Sequence, residues 1–196
     1  MRPGLRVLFV GINPGLRSAA VGHHYAGHSN RFWKLIHDSG LVPMRLIPER
    51  DAELLHWGMG LTNLVARPSA GVADLGAVDF ARGRRTLGAK IRRLRPRIVA
   101  LVGLTVFAQL FPSRRRRGAP ASRPSTRSHL RTRTRVGLQP HRFHGARVFV
   151  LPNTSGRNAH YPYADLLQAF RELAALAGAG RLNLRAGSGR SNPRSG

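Results

Sequence analysis

Three apolar runs limit the folds open to this chain more than any other feature: LRVLFV (5–10), RIVALVG (97–103) and ARVFVLPN (146–153). Each is rich in Val, Leu, Ile and Phe and lacks the in–out alternation of a half-solvated strand. Each therefore predicts a strand covered on both faces, as inside a parallel sheet. Parallel strands need crossovers, and helical spacing supplies them. SNRFWKLIHDSG (29–40) reads as a helix with Ser29 or Asn30 as cap, Phe32, Trp33, Leu35 and Ile36 as its apolar stripe, and Gly40 as its stop. IPERDAELLHWG (47–58) predicts a second short helix with Pro48 in the first turn. DFARGRRTLGAKIRRLRP (79–96) puts Phe80, Leu87, Ile91 and Leu94 on one side before Pro96. LTVFAQLF (104–111) is a further short helix, and YADLLQAFRELAALAG (163–178) is the clearest amphipathic one. MGLTNLV (59–65) reads as a strand end. Strands alternating with helices predict an α/β fold, a three-layer α/β/α sandwich around a mainly parallel sheet.

Composition narrows the chemistry. With no cysteine, disulfides, thiolate metal sites, iron–sulfur clusters and a Cys nucleophile are excluded. The nine histidines form no convincing metal-binding pair, so neither metal nor cofactor is expected. The charge is extreme, 33 basic against 8 acidic residues, net +25. Two Arg-rich, acid-free stretches, 113–135 and 178–196, hold 13 of the basic residues, and the remaining 20 still far outnumber the acids. Such a balance implies a polyanionic partner, and nucleic acid is the usual one. PSRRRRGAPASRPSTRSHLRTRTR (112–135) is too polar and too rich in Pro, Ser and Arg to build a core. It reads as a disordered insertion in a single unit spanning 1–178, with 179–196 as a basic tail. No apolar run approaches the ~18 residues of a membrane span. A monomeric cytoplasmic protein, without membrane partners, is expected.

The connection after the first strand is the anomaly. Crossover loops usually take ~2–6 residues, yet GINPGLRSAAVGHHYAG continues with Gly, Asn, Pro, His and Tyr before the next helix begins. In open α/β sheets ligands bind beyond the carboxyl ends of the strands. That rule puts GINPG, after the first strand, and PNTSG, after the last, on one rim. Read on residues alone, Asn13 is first of all a turn former, because Asn–Pro favours turn initiation, and Tyr25 is an ordinary core or surface aromatic.

Taken together, GINPGLRSAAVGHHYAG, NRFWK, GLTNLV, RIVALVG, VGLQPHR and LPNTSGRNAHYP resemble, in order and spacing, the mismatch-specific uracil/thymine DNA glycosylases, a branch of the uracil-DNA glycosylase superfamily. The resemblance implies a monofunctional hydrolase that removes uracil mispaired with guanine from double-stranded DNA, with thymine and ethenocytosine as further candidate substrates, and so initiates base-excision repair. It implies Asn13 as the catalytic residue: a carboxamide accepts no proton, but its oxygen can hold the attacking water. Tyr25 falls where the family stacks an aromatic on the extruded base. Gly11, Ile12, Gly15 and Gly22 are expected to bring main chain close to the pyrimidine edge. Ser18 lies near the base's 5-position and favours uracil over thymine, and His24 is a candidate contact to base or phosphate. In the second loop Arg157 holds the position of the wedge that fills the hole left by the flipped nucleotide. Relatives carry Leu or Arg there. Gly156 and Asn158 are expected to present backbone groups to the widowed guanine, and Asn153 and Ser155 to meet the sugar–phosphate chain. The sequence departs from the family in its Arg-rich insertion and in NTSG.

Other classes remain to be weighed. A uracil glycosylase of broader range, acting also on single strands, shares all these residues. A non-catalytic nucleic-acid binder has no reason to keep Asn13 together with Tyr25. A dinucleotide-binding domain fits poorly, because GINPG puts Pro in the phosphate-facing turn and no acid follows at the ribose position. No lysine stands in either loop to form a Schiff base, so strand cleavage by β-elimination is not expected.

Overall fold

A computed structural model of the chain describes residues 1, 3–112 and 135–178. The expectations for the Arg-rich insertion and the basic tail fall outside these residues, apart from the insertion's flanks at 112 and 135. The described chain forms a five-stranded sheet in the order β2-β1-β3-β5-β4. β1 (Val7–Gly11), β2 (Met59–Asn63), β3 (Ile98–Val102) and β5 (Ala146–Leu151) are mutually parallel, and β4 (Gly137–Phe143) runs antiparallel along the edge beside β5.

All three apolar runs become inner strands, and the reason is the one their composition suggests. β1 and β3 are buried at every position, since helices cover both faces. Side chains alternate between two cores. Val7 and Phe9 join Phe32, Leu35, Ile36, Leu54, Leu166, Phe170 and Leu173 on one side, beneath α2 (Phe32–Asp38) and α5 (Tyr163–Ala177). Leu8 and Val10 join Phe80, Leu87, Ile91, Val106 and Leu110 on the other, beneath α3 (Ala77–Leu94) and α4 (Leu104–Leu110). Full burial of each such side chain contributes ~1.5–3 kcal/mol, so the two cores make the expected three layers stable. α2 is clasped to α5 at its end, where Asp38 accepts from Lys34 and, at 2.7 Å, from the Tyr163 hydroxyl. Those donors hold the Asp38 carboxyl well below the usual carboxylate range.

Three elements depart from the sequence reading. The long first loop contains a helix, α1 (Leu16–Val21), which opens after Gly15 and stops at Gly22 in the left-handed region, φ 76. Leu, Arg and Ala are good helix formers there, but none of its residues is buried, so no apolar stripe betrays it. Residues Pro48–Trp57 wind as a 3-10 rather than an α-helix, with a kink at Arg50. β4 was not anticipated because Pro140 sits inside it. It is tolerated on an edge strand, where the register shifts between Leu138 and Arg142.

The strand order fixes where a ligand can bind. From β1 the chain steps to β2 on one side, then crosses to β3 on the other, so the crossovers part between β1 and β3. That divergence opens a crevice at the carboxyl ends of these two strands.

Candidate active site

The crevice is a cleft of about 1120 Å³, lined by Gly11–Ser18 from the first loop, His24 and Tyr25 from its end, Gly103 and Leu104 after β3, and Asn153, Ser155, Arg157 and Asn158 from the second loop. Both motif loops therefore meet on one rim. Of the singled-out residues, only Gly156 is not among the lining groups. The volume slightly exceeds the ~300–1,000 Å³ of small-molecule sites.

Asn13 is the best-fixed polar group in it. Its Nδ2 donates to the Pro14 carbonyl at 3.0 Å and to the Ser69 hydroxyl at 2.9 Å. The Pro14 carbonyl can only accept. Ser69 has one hydroxyl proton and gives it to the Gly71 carbonyl at 2.6 Å, so its oxygen too must accept from Asn13. Both amide hydrogens are thereby assigned, and Oδ1 is left without a hydrogen-bond donor among the described residues. Ser69 is itself buried, 6% exposed, and is tied by its own N–H to the Pro14 carbonyl. The main chain around Asn13 is committed as well. The Gly11 and Ile12 carbonyls accept from the N–H groups of Leu64 and Val65, both at 2.8 Å, and the Gly15 carbonyl accepts from Ala19. Gly11, Ile12 and Gly15 line the cleft, and each of their carbonyls already accepts one main-chain hydrogen bond. These carbonyls fix the loop's path.

Gly11 has another role. A Cβ there would lie 2.5 Å from Asn63 Oδ1 and 3.3 Å from the Tyr25 hydroxyl. The absent side chain makes room for two polar groups at the pocket floor. Tyr25 adopts φ 55, a left-handed conformation that costs a non-Gly residue of order 1 kcal/mol. Its ring stacks on Phe32 at 4.0 Å and 16°, which offsets that cost by ~0.5–1.5 kcal/mol. One face of Tyr25 is thus covered by a fully buried Phe. The hydroxyl is buried and has no hydrogen-bond partner among the described residues, and burial pushes its pKa far above the usual tyrosine range.

His24 is anchored by its main chain, the N–H donating to Asp51 at 3.1 Å and the carbonyl accepting from Trp33 Nε1 at 3.1 Å. Burial lowers the pKa of its ring, against the pull of Asp51. Ser18 accepts from the Ala26 N–H at 3.0 Å and keeps its hydroxyl proton to donate.

In the second loop, Asn153 Oδ1 accepts from the Ser155 N–H and Ser155 Oγ from the Arg157 N–H. The acceptors of both side chains are used internally, which leaves their donors, the groups a phosphate needs. The Asn158 N–H goes to the Ser155 carbonyl and its own carbonyl accepts from Arg31. Gly156 presses on the preceding loop. A Cβ there would meet Ser29 Cβ at 2.4 Å and the Ser29 carbonyl at 2.7 Å.

The sequence profile of the uracil DNA glycosylase superfamily matches residues 1–174. The chain belongs to the uracil DNA glycosylase superfamily. Membership makes it a DNA glycosylase, a hydrolase of N-glycosidic bonds with DNA as substrate. Among the described residues no helix is long and apolar enough to cross a membrane. Two further groups, Asn63 and Ser69, line this glycosylase cleft, and a third, Arg31, holds its second loop. Asn63 could have been found, since it ends a strand on the binding rim. Ser69 carried no signal, and Arg31 stands in the NRFWK motif without its role being readable there, because the importance of both lies in which distant groups they touch.

Proposed function

We propose that the chain excises uracil mispaired with guanine from duplex DNA, leaving an abasic site, and that Asn13 positions the water. The reaction joins a water oxygen to C1′ of the deoxyribose as the C1′–N1 bond breaks. The base departs with the bonding electron pair, and the water's proton passes to solvent. A carboxamide cannot take that proton. It can hold the oxygen nucleophile by an oriented Oδ1, and the observation that carries this reading is the double commitment of Nδ2 to Pro14 and Ser69. Alignment of this kind supplies much of a hydrolytic rate. Among the described residues that line the cleft there is no carboxylate to stabilise a cationic sugar, so turnover is slow.

The base is assigned to the space between Tyr25 and Asn63. A planar ring against the open face of Tyr25 gains ~1–3 kcal/mol from stacking. The Asn63 carboxamide, with one donor and one acceptor, complements the N3–H and O4 edge of uracil. The Ser18 hydroxyl near the 5-position favours uracil over thymine. Arg157 fills the vacated place in the stack, as cationic side chains with flat heads do well, and Gly156 offers its backbone to the widowed guanine.

The test is alkali cleavage after incubation with duplexes carrying G·U, A·U or G·T and with single-stranded uracil. G·U turns over fastest, and Asn13→Ala keeps binding while losing most turnover. Undiminished turnover by Asn13→Ala refutes the assignment, and equal rates on G·U, A·U and single strands point to a glycosylase of broader range.

A further inference from the structure

The second loop does not hold its own shape. Arg31, which opens the segment between the first loop and α2, reaches across more than a hundred residues of sequence to grip it. One terminal nitrogen, Nη2, donates to the carbonyls of Ser155 and Asn158, each at 3.1 Å, and Nη1 donates to the Tyr161 carbonyl at 3.3 Å. Ser155 and Asn158 are the two ends of the tight turn that carries Arg157, closed by the Asn158 N–H to Ser155 carbonyl bond at 2.9 Å. A single guanidinium nitrogen therefore clamps both feet of the turn. The side chain is half-buried, and among the described residues its buried Nε has no partner and its guanidinium is in no salt bridge. Three loop carbonyls take the place of a carboxylate, and bonds from a charged donor are stronger than neutral ones. The neighbours reinforce the contact. The Arg31 N–H donates to the Thr154 carbonyl at 3.0 Å, Thr154 Oγ1 donates to Asn30 Oδ1 at 2.8 Å, and that same Oδ1 accepts the Phe32 N–H that begins α2.

We propose that Arg31 is a positioning residue for the wedge. It fixes the turn bearing Arg157 relative to the base pocket, so that filling the stack and seating the base happen in register. This rests on the reading of Arg157 as the wedge. The consequence is a split between substrates. A uracil in duplex DNA needs the wedge to enter the stack and hold it open, whereas a uracil in a single strand, or one facing a one-nucleotide gap, needs only the pocket. Loss of the clamp therefore harms the first and spares the second, which a general loss of fold would not do.

The experiment measures single-turnover uracil release, enzyme in excess, from a G·U duplex and from the gapped or single-stranded control, with dissociation from the abasic product duplex. Arg31→Ala slows the G·U reaction and speeds product dissociation, each by about tenfold or more, as expected for lost charge-assisted bonds. It changes the control rate by less than about twofold. Arg31→Lys lies between, because an ammonium reaches the same carbonyls from one point without the fork. Thr154→Val shifts the ratio in the same direction by a smaller factor, and with Arg31→Lys it decides the matter if Arg31→Ala fails to fold. Equal losses on both substrates, or no change on either, overturn the proposal. Arg157→Ala, run alongside, separates the two claims. If it leaves the duplex-to-control ratio untouched, the wedge reading fails and the proposal with it. If it shifts the ratio and the Arg31 variants do not, the Arg31 inference alone falls.

Discussion

Replacing Asn13 by Asp changes one atom of the side chain and reverses the electrostatics of its seat. The present amide donates twice, to the Pro14 carbonyl and to the Ser69 hydroxyl. A carboxylate can only accept. Ser69 can answer by swinging its proton from the Gly71 carbonyl to the new oxygen, an exchange of one bond for another. The Pro14 carbonyl has no proton to offer, so a lost hydrogen bond there becomes a meeting of two acceptors in a half-buried site. An unpaired group of this kind costs ~1–3 kcal/mol, which corresponds to a rise of about 1–2 pKa units above an ordinary Asp. The sign for stability follows. An acid whose folded pKa is raised is tolerated best while protonated, below its unfolded pKa of about 3.9, and carries the full penalty above the raised value. Asn13→Asp, compared with Asn13→Ala, should therefore lose stability as pH rises from about 4 to about 7 and stay level above. Glycosylase rate should rise over the same interval, as the ionised group gains the charge that stabilises a cationic sugar. Urea unfolding midpoints and single-turnover uracil release between these pH limits provide the assay. A stability difference that does not change with pH, or a rate profile with the midpoint of an unperturbed carboxylate, would refute the claim that Pro14 and Ser69 hold the Asn13 amide by its hydrogens.

Three further outcomes follow from the same geometry. Ser69→Ala removes one of the two acceptors that orient Asn13 and should lower the single-turnover rate by about three- to tenfold, equivalent to the ~0.5–1.5 kcal/mol of one hydrogen bond. KM should be unchanged, and Ser69→Thr should restore the rate. Gly11→Ala drives a methyl into Asn63 Oδ1 and the Tyr25 hydroxyl, and overpacking of this kind costs ~1–3 kcal/mol. Its uracil turnover should fall more than its melting temperature suggests, and a fully active variant would show that the pocket floor is laid out differently. Tyr25→Phe removes a buried hydroxyl with no partner among the described residues and should melt at the same temperature or higher, keeping G·U activity if stacking is the ring's contribution. A large loss of activity would assign the hydroxyl a direct part.

Much of this arrangement was legible before any coordinates, and the reasons differ by element. β1, β3 and β5 were readable because continuous apolar runs have one economical destination, a sheet covered on both sides. α3 and α5 were readable because their apolar residues return at helical spacing. α1 was not, since a helix with no buried residue has no stripe to read. β4 hid behind Pro140, whose missing N–H counts against a strand until the edge position is known. At the site, Asn13 and Tyr25 stood together in one stretch whose residue types and order carried the family resemblance. Ser69 lies 56 residues beyond Asn13, and Arg31 124 residues before Ser155. Their roles arise from tertiary proximity, which spacing along a chain does not encode. The same holds for the main-chain carbonyls of Gly11, Ile12 and Asn158, whose hydrogen-bond partners lie far along the chain.

The ring of Tyr25 serves two masters. Against Phe32 it completes one of the two cores, and toward the cleft it presents the plane on which a guest can lie. Most rim side chains can be exchanged without the interior noticing, and most interior ones without the rim noticing. Here a change in what the pocket accepts is also a change in how tightly the molecule is folded, so adaptation toward a new lesion at this position is held back by the melting point.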